Sequence, residues 1–119
     1  MSTSLTVAKL REEQKNIEDL LVELEAQKTA IDGKYASAKE EENKVYEELR
    51  KCRDTQQYYK LQVQINSVSR RRKEVEAKKQ EIDRKILGYQ DQLEKVKAKI
   101  EYMKPKGELV EHKGEQPIQ

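Results

Sequence analysis

The sequence predicts an all-α coiled coil of two long helices that form an antiparallel hairpin turning near residue 62. Composition is the first reason: 40% of the 119 residues are charged, 34% are hydrophobic and none is Trp or Phe, which is too little apolar material for a globular interior. Ala, Glu, Lys, Arg and Leu supply about half of the chain, as they do in coiled coils. Hydrophobic residues also recur with a heptad period in two segments, as the helices of a coiled coil require.

The first helix is predicted over residues 6–57, after a disordered N-terminus at residues 1–5. Its a and d positions form its share of the coiled-coil seam and include Leu10, Ile17, Leu21, Leu24, Ile31, Tyr35, Val45 and Leu49. Two other a positions carry Lys28 and Glu42, and charges there reduce stability but specify register and partner. In a symmetric dimer each charge would face its own copy, so we expect this helix to pair with a different partner.

The second helix is predicted over residues 68–104, and its heptad begins within the junction before it. Its seam residues are Leu61, Ile65, Val68, Val75, Ile82, Ile86, Tyr89, Leu93, Val96, Ile100 and Met103. The phase of this heptad is displaced by two residues from the first, so on one continuous helix the two seams would face nearly opposite directions. Either the chain turns near residue 62 or, as the alternative, a single continuous long helix presents two faces to different neighbours.

The junction at residues 58–67 carries the local signals for a turn. Residues 59–65 alternate between apolar and polar in a strand-like pattern. Asn66 and Ser67 follow, and such side chains can cap the start of a helix. No Gly or Pro lies in the junction, so the signal for a turn comes from the pattern alone.

The charge distribution favours the antiparallel hairpin. Residues 1–59 have a net charge of −3 and residues 60–119 a net charge of +5, which suits two halves that lie against each other. In the register centred on residue 62, the flanking charge pairs attract, which selects orientation more than it adds stability. That register places Arg72 of the second seam opposite Cys52 of the first.

The end of the second helix is marked by Pro105, which cannot continue a helix and pushes the residue before it out of helical geometry. The sequence that follows is polar and has no hydrophobic period. We therefore expect a disordered tail over residues 105–119.

Residues able to carry chemistry are sparse. The chain has one Cys and one His, Cys52 and His112, which cannot form a disulfide framework or a zinc site within one chain. The carboxylates of residues 40–42 lie on a helix, without the buried surroundings that separate the pKa values of a catalytic pair. The sequence thus predicts no catalytic, cofactor-binding or metal-binding residues, no small-molecule substrate and no enzymatic activity.

No segment has the apolar length of a membrane span, and the first ten residues lack the apolar run of a signal peptide. We therefore expect no membrane span. The expected location is the cytoplasm, including its cytoskeletal assemblies, or the nucleus.

One basic run stands out, formed by Arg70, Arg71, Arg72 and Lys73. Together with further basic residues up to residue 85, it is a candidate contact for a polyanion such as nucleic acid or an acidic protein surface. No aromatic residue is interleaved with the run, so stacking on bases is not supported. Nucleic acid binding through helix residues 70–85 is therefore a lesser alternative.

The segment Tyr59-Lys60-Leu61-Gln62-Val63-Gln64-Ile65, followed by a basic helix, resembles the linker of prefoldin β-type chaperone subunits. Those subunits have two helices in an antiparallel coiled coil joined by a short β-hairpin. The resemblance covers about a dozen residues, and this sequence lacks the glycine expected in such a linker. It implies, as an alternative function, a prefoldin-like chaperone subunit with a helical hairpin.

The predicted function is a structural or scaffold subunit of a multiprotein complex. A two-helix coiled coil buries little surface, so partner helices are expected to complete it. The charged a positions favour other coiled-coil proteins as partners, in a hetero-oligomer rather than a homodimer. Cytoskeletal complexes are among the assemblies that use such subunits.

Overall fold

The computed structural model describes residues 2–103 and contains two α-helices, α1 (Ser2–Lys51) and α2 (Thr55–Met103). Within that range, only residues 52–54 lie outside a helix. The all-α prediction is confirmed, and the alternative of one continuous helix is wrong. Residues 2–5 are helical rather than disordered, and the predicted tail at 105–119 lies outside the described residues.

The turn lies at residues 52–54 and not near residue 62, because the strongest local cap is Asp54. Its side-chain Oδ1 accepts a hydrogen bond from the backbone N–H of Gln56 at 3.2 Å, and its carbonyl accepts one from Tyr58 at 2.8 Å. The first contact satisfies an amide at the start of α2 that has no partner within the helix, and the second is the first regular hydrogen bond of the helix. Arg50 and Lys51 occupy the last turn of α1, where basic side chains complement the helix dipole.

The predicted junction at residues 58–67 lies entirely within α2. Its alternating pattern suggested a strand, but Leu61 and Ile65 are spaced four residues apart and are both buried. Burial on one helical face outweighs the weak preference of β-branched residues for strands. The β-hairpin linker implied by the resemblance to prefoldin β-type subunits is therefore absent from residues 59–65.

The chain divides into two compact units. The turn unit comprises Glu23–Ile86, and the terminal unit comprises, in its described part, residues 2–22 and 87–103. The core of the turn unit contains Val45, Leu61, Ile65 and Val68, with Leu49 and Cys52 packed against them. The core of the terminal unit contains Ile17, Val96 and Ile100, with Leu10, Leu21, Tyr89 and Leu93 packed against them. In both units a segment of α1 packs against a segment of α2.

All residues assigned to the seam from the sequence are buried or half-buried. The d positions of α1 are buried without a gap: Ile17, Leu24, Ile31, Ala38 and Val45. Tyr59 and Val63 continue the first heptad in the sequence, yet their exposed fractions are 66% and 71%. The chain has already turned before it reaches them, so they no longer face α1.

The interhelical ion pairs are displaced from the expected register by ten to thirteen residues, which is close to two heptads. Arg72 contacts Glu42, ten positions before the Cys52 that the sequence placed opposite it. Lys79 contacts Asp32, thirteen positions before the Val45 that the expected register placed opposite it. A heptad pattern repeats every seven residues, so sliding one helix along the other by whole heptads keeps the same residues in the seam. The pattern therefore fixes which faces meet, while the turn fixes how far along they meet.

Candidate interaction surface

A buried ion pair lies in the seam of the turn unit. The side chain of Glu42 is 2% exposed, and it is the only charged residue buried within residues 5–103. Arg72 donates to both carboxylate oxygens of Glu42, from Nε at 3.0 Å and from Nη2 at 3.2 Å. Ser69 donates its hydroxyl to Oε2 at 2.7 Å. Two-pronged contacts of this kind are strong and directional.

The electrostatics of this pair follow from its contacts. Hydrogen bonds from Arg72 and Ser69 lower the pKa of Glu42 to about 2, against the opposing effect of burial. Arg72 also donates from Nη1 to Glu76 at 2.8 Å, and the hydrogen bond to Glu42 is the main cause that raises the pKa of Arg72. Lys39 adds a longer ion pair to Glu42 at 3.6 Å. We call these five residues the Glu42 cluster.

A second network, the lysine–aspartate ring, joins the same two helices. Lys28 contacts Asp83 at 3.0 Å, and Lys79 contacts Asp32 at 3.6 Å, so both pairs cross from one helix to the other. Within each helix, Lys28 lies 3.8 Å from Asp32 and Lys79 lies 3.5 Å from Asp83. The hydrogen bond between Lys28 and Asp83 raises the pKa of the lysine and lowers that of the aspartate.

The two ion-pair networks show which helix pairs with the charged a positions of α1. Glu42 and Lys28 of the first seam each meet an oppositely charged residue of α2. The different partner expected for the first helix is therefore supplied by the second half of the same chain. In the observed register the buried Glu42 has its counter-charge across the seam, which a buried carboxylate requires.

The basic run does not act as one patch. Arg72 lies in the seam, and Arg71 forms an ion pair with Glu41 at 2.5 Å on the flank of the turn unit. Arg70 and Lys73 are exposed, and neither has an ion-pair partner among the described residues. Of the four candidate polyanion contacts, two are thus neutralised within the chain and two remain available.

The two available cations share a face of α2 with exposed apolar residues. Tyr59, Val63, Arg70 and Lys73 are spaced by four, seven and three residues, which places them along one side of the helix. All four are exposed, whereas the seam residue Leu61 on the opposite side is 4% exposed. We call these four residues the outer stripe.

An aromatic pair lies at the turn end of the outer stripe. The rings of Tyr58 and Tyr59 meet edge to face, with centroids 6.3 Å apart and planes inclined by 73°. Gln62 donates from Nε2 to the Tyr58 hydroxyl at 2.9 Å, which holds Tyr58 in place. Arg53 and Lys60 lie nearby in sequence, and neither has an ion-pair partner within the part of the chain that the structure describes.

The remaining chemistry-bearing residue is Cys52, a free and half-buried thiol that packs against the core of the turn unit. Its Sγ lies 3.2 Å from the carbonyl of Asp54. Residues 2–103 contain no group of three or more His, Cys, Asp or Glu side chains arranged to hold a metal ion. Neither α1 nor α2 is apolar enough over its described length to cross a membrane.

No known protein family, curated protein or solved structure is significantly similar to this chain.

Proposed function

We propose that this protein is a non-enzymatic structural or scaffold subunit of a multiprotein complex, and that it acts by pairing with helices of other proteins. The observation that supports this most directly is the thin core. Eleven hydrophobic residues are buried along two helices of 50 and 49 residues, while nine large hydrophobic residues stay exposed in the same described range.

A two-helix pair covers only one side of each helix, whereas a four-helix bundle packs its helices around a shared core. A core this thin limits the free energy of unfolding, because little apolar area is buried. Additional helices would increase the buried apolar area, which is the main favourable contribution to association. The hairpin is therefore proposed to be the folded unit, and its outward faces to be the contacts with other subunits.

Charge favours different partners over a second copy. The seam charges are satisfied within the chain, so they leave no requirement for a symmetric dimer through the seam. A parallel symmetric dimer through the outer stripe would place Arg70 and Lys73 against the same residues of its copy, and an antiparallel one would place them against the apolar end of the stripe. Neither arrangement gives these cations a counter-charge, which disfavours association. We infer hetero-oligomeric pairing in the cytoplasm, with cytoskeletal assemblies among the candidates.

Circular dichroism and sedimentation velocity on the full chain test this proposal. We expect a helical chain of marginal stability that gains thermal stability when the partner isolated with it from native extract is added back. A helical monomer at micromolar concentration that is highly stable and copurifies with nothing would contradict the proposal. Suppression of the aggregation of an unfolded enzyme, without a stable partner, would favour the chaperone alternative.

A further inference from the structure

We propose that the outer stripe of α2 is the docking site for an acidic amphipathic helix of a partner protein. This inference rests on the proposed function, in which the hairpin pairs with helices of other subunits. It adds the surface that makes the contact and the chemistry of the segment that binds there.

The apolar end of the outer stripe is formed by Tyr59 and Val63, with exposed fractions of 66% and 71%. They are one helical turn apart, so one partner side chain can contact both. The Tyr59 ring makes an edge-to-face contact with Tyr58, whose hydroxyl accepts a hydrogen bond from Gln62. An exposed aromatic residue beside an aliphatic one is a favourable anchor for a helix, because an aromatic ring buries a large apolar area with few rotatable bonds.

The basic end is formed by Arg70 and Lys73. Their neighbours Arg71 and Arg72 contact Glu41 and Glu42 on α1, so the chain neutralises the inward-facing part of the basic run and leaves its outward-facing part without a counter-charge. Exposed cations of this kind attract acidic partners and raise the rate of association.

The order of the apolar and basic residues along the outer stripe specifies the chemistry of the partner helix. Residues 59–73 extend over about 21 Å of helix, which corresponds to four turns of a partner helix. Its apolar side chains would lie at the turn end of the stripe and its carboxylates about two turns away. No acidic residue lies between Tyr59 and Lys73, and Glu74 is the first acidic residue beyond the stripe.

Other occupants fit less well. Nucleic acid would use Arg70 and Lys73 for phosphate contacts but gains nothing from Val63, because phosphate binding depends on charge. A second copy would set these cations against each other or against the apolar end of the stripe, and would supply no counter-charge in either case. An acidic helix uses the apolar and the basic ends together, so the observations favour it.

The test uses the full chain and a synthetic 18-residue helical peptide as the probe. The peptide carries two leucines one turn apart and two glutamates two turns further along the same face, and its control has the same composition in scrambled order. Binding is measured by fluorescence anisotropy at 50 and 300 mM NaCl. We expect micromolar binding of the patterned peptide, at least tenfold weaker binding of the scrambled one, and a several-fold loss at the higher salt concentration.

Two variants examine the two ends. Val63→Gln removes the aliphatic anchor, and Arg70→Gln with Lys73→Gln removes the charge. Each should weaken binding of the patterned peptide at least fivefold without changing the helical signal. Val22→Gln is the matched control for the first, since Val22 is 72% exposed in the terminal unit, and Lys34→Gln with Lys44→Gln is the control for the second. Both controls should bind within twofold of the unaltered chain.

Several results would overturn the docking site. Equal losses in the stripe variants and in their controls would show that the peptide binds without using the outer stripe. Tighter binding of a 20-nucleotide RNA or DNA, dependent on Arg70 and Lys73 but not on Val63, would identify the stripe as a nucleic-acid contact. Self-association abolished by Val63→Gln would identify a second copy as the occupant.

A pull-down with the full chain separates this proposal from the broader one. If the unaltered chain and the stripe variants capture the same partner equally, the docking site is wrong and the scaffold function stands. If the unaltered chain captures no helical partner at all, the proposed function itself fails.

Discussion

Replacing Glu42 with Ala should destabilise the chain more than any other single change of an acidic residue in the described range. The substitution leaves Arg72 half-buried without its main counter-charge, and losing one partner of a buried pair costs about 3–5 kcal/mol. Arg72 keeps its contact with Glu76 and its side chain is 19% exposed, so the loss of stability lies at or below the lower end of that range. The lowered pKa of Glu42, from 4.5 to about 2, corresponds to about 3 kcal/mol before solvent screening. We therefore expect a loss of about 2–3 kcal/mol.

Glu41→Ala is the matched control. Glu41 is the adjacent residue and also forms an interhelical ion pair, but it and Arg71 are each about half exposed, so the pair contributes about 0.2–1 kcal/mol. Urea unfolding of each variant at pH 7, followed by circular dichroism at 222 nm, gives the free energy of unfolding. If Glu42→Ala and Glu41→Ala lower it equally, the buried pair does not set the stability of the turn unit.

Three further predictions use the same unfolding assay. The pKa of Glu42 is lowered in the folded chain, so its stabilisation is complete above the unfolded pKa of about 4.5 and is lost as the pH falls towards 2. The difference in the free energy of unfolding between the unaltered chain and Glu42→Ala should therefore shrink over that interval. A constant difference from pH 7 to pH 2 would refute the role assigned to Glu42. Asp54→Ala removes the cap of α2 and should cost about 1 kcal/mol, whereas Asp54→Asn should cost little; equal losses would show that the side-chain cap is unimportant. Gly33→Ala should stabilise the chain by about 1 kcal/mol, because a Cβ at Gly33 meets nothing within 4 Å, and a destabilised Gly33→Ala chain would contradict the open space around this residue.

The sequence predicted the seam well because burial on a helix follows a period that can be read directly. Ile17, Leu24 and Ile31 are seven residues apart and are all buried, and no knowledge of the turn is needed to place them on one face. The heptad also places Arg72 in the seam and Arg70 outside it, since nearby residues point in different directions around a helix.

The register could not be obtained from the same pattern, because hairpins that differ by whole heptads bury the same residues. Two signals would have placed the turn correctly. Asp54 is a strong N-cap residue that comes before the segment 58–67, and pairing Glu42 with Arg72 gives a buried carboxylate its counter-charge. The strand-like residues 59–65 obscured both signals.

The outer stripe was missed for a related reason. Tyr59 and Val63 match the phase of the first heptad, and the sequence placed them in the junction at residues 58–67. Only the position of the turn shows that they follow it and lie on the outward side of α2. An exposed surface of this kind depends on tertiary structure, which a local pattern does not contain.

The central claim is that the chain turns at residues 52–54 and sets Glu41 beside Arg71. Nitroxide labels on Glu41→Cys and Arg71→Cys, in a chain that also carries Cys52→Ala, test it most directly by electron paramagnetic resonance. Adjacent helices at 8–10 Å predict label separations below about 20 Å. A separation of about 45 Å, which thirty residues span along a single helix, would contradict the account, and so would one above about 20 Å, since a turn centred on residue 62 offsets the two sites by about 18 Å along the helix axis.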